Sequence, residues 1–306
     1  MGGLANTRSN TDPAWLIDSS IYVFKAWYRS PEQFDIEGNP INAVYGFLDF
    51  TYNLLKNESP KFIGFAFDES LETSHRKEIY PLYKANRSPA PDSLSKQFLY
   101  CRKFLRAFGI HEAASLHYEA DDLIGTWAKA LRKQNIPVNF ITADKDLTQL
   151  VYENDHWWEY QQGQKLNAQA ITKKFKAKPR QIADQLAIAG DKSDNIPGVL
   201  GIGMATAGKL LKKFDTIENM FANIPEIASM QIRGAKQIQQ LIEAHQESIK
   251  LSRKLTEIKC NIAPISIDNF KLTKPNREHF NQLCHVLGLS NKTQQQWLEL
   301  HESICC

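Results

Sequence analysis

Short apolar runs alternate with amphipathic segments through the first half of the chain. Three runs rich in aromatic and branched residues, at 15–17, 62–67 and 138–142, predict buried strands. Helical periodicity predicts helices over 42–56, 93–108 and 119–134. Because strands alternate with helices, the pattern predicts an α/β fold with a mainly parallel central sheet flanked by helices.

The second half has a different pattern, with helical periodicity only. The predicted helices cover 180–190, 204–214, 234–254 and 276–300. The first residues, MGGLANTRSNTDP, are polar and carry no export signal. We therefore expect a disordered tail over 1–13, an α/β domain over 14–180 and a helical C-terminal domain over 181–306.

Composition limits the class of protein without deciding its function. Of 306 residues, 42% are hydrophobic and 23% charged, which is ordinary for a globular protein, and the net charge of +3 is too small to indicate a nucleic-acid partner by itself. Five cysteines without metal-ligand spacing predict free thiols in a reducing cytoplasm. No segment approaches the ~18 apolar residues of a membrane helix, so we expect no membrane partner.

Acidic residues follow each of the three predicted strands. Asp18 follows the first, Asp68 follows the second, and Asp144 and Asp146 follow the third. Such residues often cap a helix or make a turn, which is the simple alternative for any one of them. Because the carboxyl ends of parallel strands form one crevice, three strands together predict a shared acidic rim.

Two further acidic clusters lie outside the strands. Glu119, Asp121 and Asp122 open a predicted helix, where they could simply complement the helix dipole. Mutual repulsion costs about 4 kcal/mol per pair at ~4 Å in a dielectric of ~20, so such crowding favours a bound cation. Asp191 and Asp194 lie three residues apart after another predicted helix, and alone they could form only a turn.

The chemistry of these side chains points to phosphate hydrolysis. Oxygen ligands without nearby His or Cys suit magnesium or manganese rather than zinc. Two such ions, ~3.5–4 Å apart, can activate a water and stabilise the leaving oxygen of a phosphodiester. The number of carboxylates predicts two metal positions.

Two further segments, one basic and one rich in glycine, are candidates for nucleic-acid binding. Residues 75–87 mix cations, including Arg76, with aromatic side chains; this is either a solvated helical face or a surface for single-stranded nucleic acid. The segment 198–213 is a glycine hairpin that opens a helix, a geometry that lets backbone amides approach phosphates. We expect this hairpin to join two helices that grip a DNA backbone through Gly201, Gly203, Lys209, Lys212 and Lys213.

Six motifs together resemble a known family. In chain order they are WLIDSSIYVFKAWY, FAFD, YPLYKANR, YEADDLIGTWA, ITADKDLTQLV and GDKSDNIPGVLGIGMATAGKLL. The chain resembles, over about residues 15–288, the 5′-nuclease family: the 5′–3′ exonuclease domain of bacterial DNA polymerase I, with phage exonucleases and flap endonucleases as relatives. The resemblance implies a PIN-like catalytic core with a helical arch over 69–108.

The resemblance also implies a role for each matching residue. The two-metal site would be formed by Asp18, Asp68, Glu119, Asp121, Asp122, Asp144, Asp146, Asp191 and Asp194. Tyr83, Lys84 and Arg87 would belong to the arch, with Lys84 near the scissile phosphate, and Tyr22 would lie near the scissile nucleotides. Gly201 to Gly203 would form the turn of a helix–three-turn–helix motif, which binds duplex DNA and often a potassium ion.

The expected function is structure-specific 5′–3′ exonuclease and 5′-flap endonuclease activity in DNA replication and repair. The partners implied are DNA with a 5′ end or flap, an RNA primer strand, and a DNA polymerase acting in trans. Ser19 stands where the family commonly has Gly, and the chain ends where polymerase I continues, which leaves a stand-alone nuclease or a separate domain.

Two alternatives stay open at this point. A PIN-type ribonuclease would use a similar acidic rim, although the glycine hairpin and the length argue against it. A DNA-binding module that has lost its metals would be non-catalytic, which the complete acidic set opposes.

Overall fold

The computed structural model describes residues 12–69, 73–160 and 162–305. The predicted tail therefore lies outside the described residues except for its last two positions, where Asp12 forms an exposed ion pair with Lys61 at 2.6 Å. Three positions of the predicted arch, 70–72, also lie outside them.

Five parallel strands form one sheet in the described part of the chain. They are β1 (Ala14–Asp18), β2 (Phe62–Asp68), β3 (His111–Ser115), β4 (Val138–Ile141) and β5 (His156–Trp158). Their order is β3-β2-β1-β4-β5, and all four neighbouring pairs are parallel. The predicted α/β class with a parallel central sheet is confirmed. The sequence did not predict β3, whose five residues are all half-buried, or β5, which has only three residues.

Helices cover both faces of the sheet and make up the second half of the described chain. They are α1 (Ser19–Arg29), α2 (Asn42–Glu58), α3 (His75–Ile79), α4 (Asp92–Phe108), α5 (Ala120–Arg132), α6 (Ala168–Phe175), α7 (Ile182–Ala189), α8 (Met204–Phe214), α9 (Ile217–Ala222), α10 (Ala235–Ala244), α11 (Gln246–Thr256), α12 (Arg277–Val286) and α13 (Asn291–Cys305). The helix predicted over 234–254 is two helices divided at His245, and the one predicted over 276–300 is divided at 287–290.

Alternate residues of β1 enter two different cores, as the two-residue period of a strand requires. Trp15 and Ile17 pack with residues of α1, α2 and α4, whereas Leu16 packs with residues of α5 on the other face. A third core joins α7, α8, α10 and α11 in the helical region. Burial on both faces fixes the register of β1, so the position of Asp18 at its carboxyl end is also fixed.

Among the described helices, none combines the length and the apolar character that a membrane-spanning segment requires.

Candidate active site

The carboxyl ends of the strands converge on one acidic cavity of about 320 Å³. Asp18 ends β1 and Asp68 ends β2. Asp144 and Asp146 follow β4, which pairs with β1 on the side opposite to β2. The carboxylates that line the cavity are Asp18, Asp68, Glu119, Asp121, Asp144, Asp146 and Asp194. The structure thus brings together seven of the nine predicted metal ligands.

Crowding of buried acids changes their protonation. Burial, together with the charges of Asp68 and Asp144, raises the pKa of Asp18 to about 8, although Thr142 donates a hydrogen bond to Asp18 at 2.8 Å. Burial and the charge of Asp144 raise the pKa of Asp146 to about 7. Oδ1 of Asp146 is buried and accepts no hydrogen bond; the Lys145 ammonium lies 3.2 Å away without hydrogen-bond alignment. The positive charge near Asp18 and Asp146 is therefore too small to offset the burial and mutual repulsion of these acids.

The first turn of α5 is tied to the end of β2. The amide of Ala120 donates to Asp68 Oδ1 at 2.9 Å, and the amide of Glu119 donates to Asp122 Oδ2 at 3.3 Å as part of a capping box. The acidic helix therefore begins at the rim of the sheet, which brings Glu119 to the cavity.

Lys84 places an ammonium inside this acidic cavity. Its Nζ lies 2.6 Å from Glu119 Oε2 and 3.9 Å from Asp194 Oδ2, and its side chain is 9% exposed. Burial opposes the charged form, but Glu119, Asp194 and Asp68 outweigh it and raise the pKa of Lys84 above its ordinary value. In return, Lys84 and Arg76 overcome burial and lower the pKa of Glu119 to about 2.

Tyr83 and Arg87 accompany Lys84 at the same wall. The Tyr83 hydroxyl is buried within 3.1 Å of Glu119 Oε2 and 3.2 Å of Asp194 Oδ2. Arg87 donates to Asp194 Oδ1 at 2.6 Å, and its side chain is 43% exposed. All three predicted arch residues therefore contact acids of the cavity. They lie in a run of turns between α3 and α4, so the described part of the predicted arch is not helical throughout.

The prediction that Arg76 contacts DNA is wrong. Its side chain is 1% exposed, and its guanidinium donates to both Asp122 oxygens, at 2.8 and 2.9 Å, and to Asp121 Oδ2 at 3.1 Å. It also donates to the carbonyls of Leu255 and Glu257 in and after α11. These partners occupy the guanidinium, so Arg76 ties α3, α5 and α11 together rather than offering an exposed cation to DNA.

Two of the predicted metal ligands do not line the cavity. Asp122 is fully buried, with Arg76 and the Lys259 amide on its oxygens. Asp191 accepts hydrogen bonds from the Ser193 amide and hydroxyl and is paired with Lys145. These contacts hold the pKa of Asp191 below its usual value despite burial. Asp191 shapes the turn that presents Asp194.

The prediction that Tyr22 lies at the substrate is also wrong. Its ring stacks on Phe50 with centroids 3.9 Å apart, it is 6% exposed, and its hydroxyl accepts from the Tyr160 amide at 3.3 Å. The aromatic residue of α1 at the cavity is Phe24, which is 38% exposed. Sequence reasoning missed Phe24, although the helical period could have found it, since positions 22, 23 and 26 form the apolar face of α1.

The glycine hairpin lies between α7 and α8, as predicted. A Cβ at Gly198 would lie 2.1 Å from the Gly190 nitrogen, so only glycine permits this close crossing of the loop. Gly201 has a φ of +94°, and Gly203 is the N-cap residue of α8 with open space around it. The predicted cations are exposed along α8: Lys209, Lys212 and Lys213. Lys213 is paired with Glu226 at 2.9 Å.

Whether the cavity could hold divalent cations depends on its donors. All the acids that line it offer oxygen, and none of the lining residues is His or Cys, which suits a hard cation. As the side chains stand in the described residues, no group of three is arranged to hold an ion. Part of the positive charge that balances these acids comes from Lys84, whose ammonium lies against Glu119 and near Asp194. The oxygen-only donor set nevertheless fits hard divalent ions.

A parallel α/β sheet with this acidic rim, followed by a glycine-hairpin helical region, defines the chain as a hydrolytic nuclease with a PIN-like core. Two family models match it: the 5′–3′ exonuclease N-terminal resolvase-like domain over residues 13–176, and the 5′–3′ exonuclease C-terminal SAM fold over residues 177–278. The chain belongs to the 5′–3′ exonuclease family.

Curated relatives agree with the family models. A 5′–3′ exonuclease of Buchnera aphidicola (subsp. Acyrthosiphon pisum) is 37% identical over 257 residues, covering 84% of this chain and 89% of the relative. DNA polymerase I of Bacillus caldotenax is also 37% identical, over 94% of this chain. The chain spans only about a third (32%) of that polymerase.

Solved structures share the fold at low sequence identity. The T5 D15 protein co-crystallised with metal ions has a TM-score of 0.66 and 16% identity, covering 96% of this chain and 100% of that one. The catalytic core of Rad2 in complex with DNA substrate has a TM-score of 0.61 and 15% identity, covering 95% and 93%. These likenesses extend over nearly the whole chain.

Proposed function

We propose that this protein hydrolyses DNA phosphodiester bonds at or near a free 5′ end, as a 5′–3′ exonuclease and 5′-flap endonuclease that uses two magnesium or manganese ions. One observation carries the proposal: seven carboxylates from the sheet edge, α5 and the 191–196 loop line one cavity together with Lys84 and Arg87. The cavity thus combines carboxylates that can bind metal ions with the cations of Lys84 and Arg87, which can bind a phosphate.

The acids divide into those that could hold ions and those that support them. Asp18, Asp68, Glu119, Asp121, Asp144, Asp146 and Asp194 line the cavity and would hold the ions. When bound, such ions supply the charge that activates a water and stabilises the leaving 3′ oxygen. Asp122 and Asp191 support this set through Arg76 and Lys145. That T5 D15 was crystallised with metal ions supports a metal cofactor.

Lys84 supplies a fixed positive charge for the reacting phosphate. Its raised pKa keeps it protonated at neutral pH, and Glu119 and Asp194 hold it beside the other acids. A charge already in place when negative charge develops in the transition state lowers the barrier without reorganisation. Arg87 has the same role from the more exposed side of the cavity. Tyr83 keeps Glu119 and Asp194 in position through its hydroxyl.

The helical region would hold the duplex. The N-terminus of α8 follows Gly203, where backbone amides can approach a phosphate or bind a potassium ion through the neighbouring loop carbonyls. Lys209, Lys212 and Lys213 would contact phosphates without regard to sequence. Rad2 was crystallised with DNA substrate, which supports DNA as the ligand.

The cellular role proposed is removal of primers and flaps during replication and repair in the bacterial cytoplasm. Strand displacement by a DNA polymerase produces 5′ flaps, so a polymerase acting in trans is the partner class that would supply the substrate. The polymerase I relatives support this assignment.

The test uses a duplex with a 5′ flap, labelled at either end and incubated with and without magnesium. We expect cuts at or near the flap junction that leave a 5′-phosphate and a 3′-hydroxyl, and no cutting in EDTA. Full activity in EDTA, or degradation from a free 3′ end when the 5′ end is blocked, would overturn the proposal. A preference for single-stranded RNA over the flap would indicate a PIN-type ribonuclease instead.

A further inference from the structure

The turns at residues 80–87, here called the arch-base segment, are fastened to the 191–196 loop at the start of the helical region. The Asn195 side-chain amide donates to the Leu82 carbonyl at 2.7 Å, and the Asn86 side-chain amide donates to the Lys192 carbonyl at 2.9 Å. Between them, the Lys84 amide donates to the Asp194 carbonyl at 2.9 Å. These three hydrogen bonds, together with the side-chain contacts of Tyr83 and Arg87 to Asp194, join two segments that are about 110 positions apart in the chain.

Backbone conformation at this junction depends on those bonds. Lys84 has a φ of +52° and Asn195 a φ of +55°, both in the left-handed region. Asn tolerates that region through its short amide, but a lysine adopts it at a cost unless its surroundings impose it. The bond from the Lys84 amide to Asp194 and the two asparagine bonds on either side of it provide that constraint.

The direction of the Lys84 side chain follows from this backbone. With the left-handed turn at Lys84 held against the loop, its Nζ reaches Glu119 at 2.6 Å and Arg87 reaches Asp194 at 2.6 Å. The asparagine side chains themselves do not line the cavity. They therefore act on the reacting groups only through Lys84 and Arg87.

We propose that Asn86 and Asn195 are positioning residues, an amide clasp that holds Lys84 and Arg87 at the cavity and couples them to the duplex-binding region. This inference rests on the proposed nuclease function. The loop that carries Asn195 continues directly into Gly198 and the glycine hairpin before α8. One rigid loop thus sets both the position of the duplex contacts and the position of the phosphate-facing cations.

The test is single-turnover cleavage of the 5′-flap duplex by Asn195→Gly and Asn86→Ala. Glycine keeps the left-handed backbone and removes only the amide donor. Because small misplacements of a reacting group are costly, we expect cleavage to slow about tenfold in each variant. DNA affinity and melting temperature should stay near those of the wild type, since both clasp bonds are exposed. Asn135→Gly is the matched control, because Asn135 is also exposed with a positive φ of 57° but lies between α5 and β4, and it should cut at the wild-type rate.

A second arm separates positioning from a general structural role. In a Lys84→Ala, Arg87→Ala background, Asn195→Gly should slow the remaining cleavage less than about twofold, because residues that act through the same groups are not additive. Equal slowing with and without these two cations, or wild-type rates in both clasp variants, would overturn the clasp while leaving the nuclease function intact. A wild-type protein that does not cut with magnesium would instead overturn the function, and the clasp with it.

Discussion

The cavity and the helix α8 carry positive charge in opposite ways. Lys84 is almost enclosed and touches Glu119, whereas Lys209, Lys212 and Lys213 project into solvent. At ~4 Å, two unit charges interact by about 4 kcal/mol at an effective dielectric of ~20 but only about 1 kcal/mol in water. A single charge therefore matters in the cavity, while on α8 only the sum of several charges does.

The same contrast separates chemistry from binding. In the cavity, side chains are held by partners on several elements, which gives the fixed geometry that a reaction requires. On α8, the lysines need only follow a chain of phosphates, which requires no single geometry. Substitutions in the cavity should therefore slow cleavage, whereas substitutions on α8 should weaken DNA binding.

The largest effect is expected from Asp144→Asn together with Asp146→Asn. Both acids line the cavity at the end of β4, and Asn cannot supply the negative charge that a divalent ion requires. Cutting should fall below detection, while DNA affinity holds or rises because negative charge facing a polyanion is removed. The measurements are flap cleavage and equilibrium binding, with Asp49→Asn on the exposed face of α2 as the control. If this double variant lost DNA binding as well as cutting, the metal ions would be holding the substrate.

Lys84→Ala should have the next largest effect. Removing a preorganised cation from a reacting phosphate should slow single-turnover cleavage about 100-fold, with a much smaller change in DNA affinity. Arg87→Ala should slow it less, because its side chain is 43% exposed and more screened by solvent. Lys96→Ala on α4, an exposed cation outside the cavity, should cut normally. Unchanged rates combined with collapsed affinity would make Lys84 and Arg87 a binding surface only.

Much of the fold was predictable because it depends on local periodicity. The three strands predicted from apolar runs form the centre of the sheet, and the acids at or just after their carboxyl ends line the cavity. β3 and β5 were not predictable in this way, since neither carries an apolar run, and both pair at the outside of the sheet. Neighbouring strands, rather than their own sequences, determine these two elements.

The site was less predictable because its errors arise from long-range contacts. Arg76 lies in a basic run, yet its partners include the carbonyls of residues 255 and 257, about 180 positions later. Nothing near position 76 distinguishes a buried guanidinium from an exposed one. The error at Tyr22 has another cause. The family resemblance indicated a position near the substrate, but Tyr22 lies on the apolar face of α1, which predicts burial in the core. Asn86 and Asn195 carry no local signal at all.

A pH dependence follows from the raised pKa values of Asp18 and Asp146. Their ordinary pKa of about 3.9 in the unfolded chain rises to about 8 and about 7 in the fold. The folded protein thus binds more protons in this window, and without metal its stability should fall as pH rises from about 4 to 8. In EDTA the melting temperature should be lower at pH 8.5 than at pH 6, and magnesium should raise it more at pH 8.5.

The control for this pH effect is the Asp144→Asn, Asp146→Asn variant. With two of the crowded acids neutral, the drop in melting temperature between pH 6 and pH 8.5 should shrink, and so should the response to magnesium. A magnesium response that is equal at both pH values in the wild type would contradict proton release on metal binding.

The smallest effect on the chemistry is expected from replacing Lys209, Lys212 and Lys213 with Ala. Each lost phosphate contact should reduce the slope of log affinity against log salt by about 0.9. Lys213 should contribute least of the three, because Glu226 already neutralises part of its charge at 2.9 Å. Lys271→Ala, a cation outside α8 and paired with Asp268, should leave the slope unchanged. Bound flap DNA should still be cut at nearly the wild-type single-turnover rate, since the cavity is untouched. If that rate falls as far as the affinity, the duplex grip and the cavity are not separable, and positioning of the duplex by α8 is itself part of the chemical step.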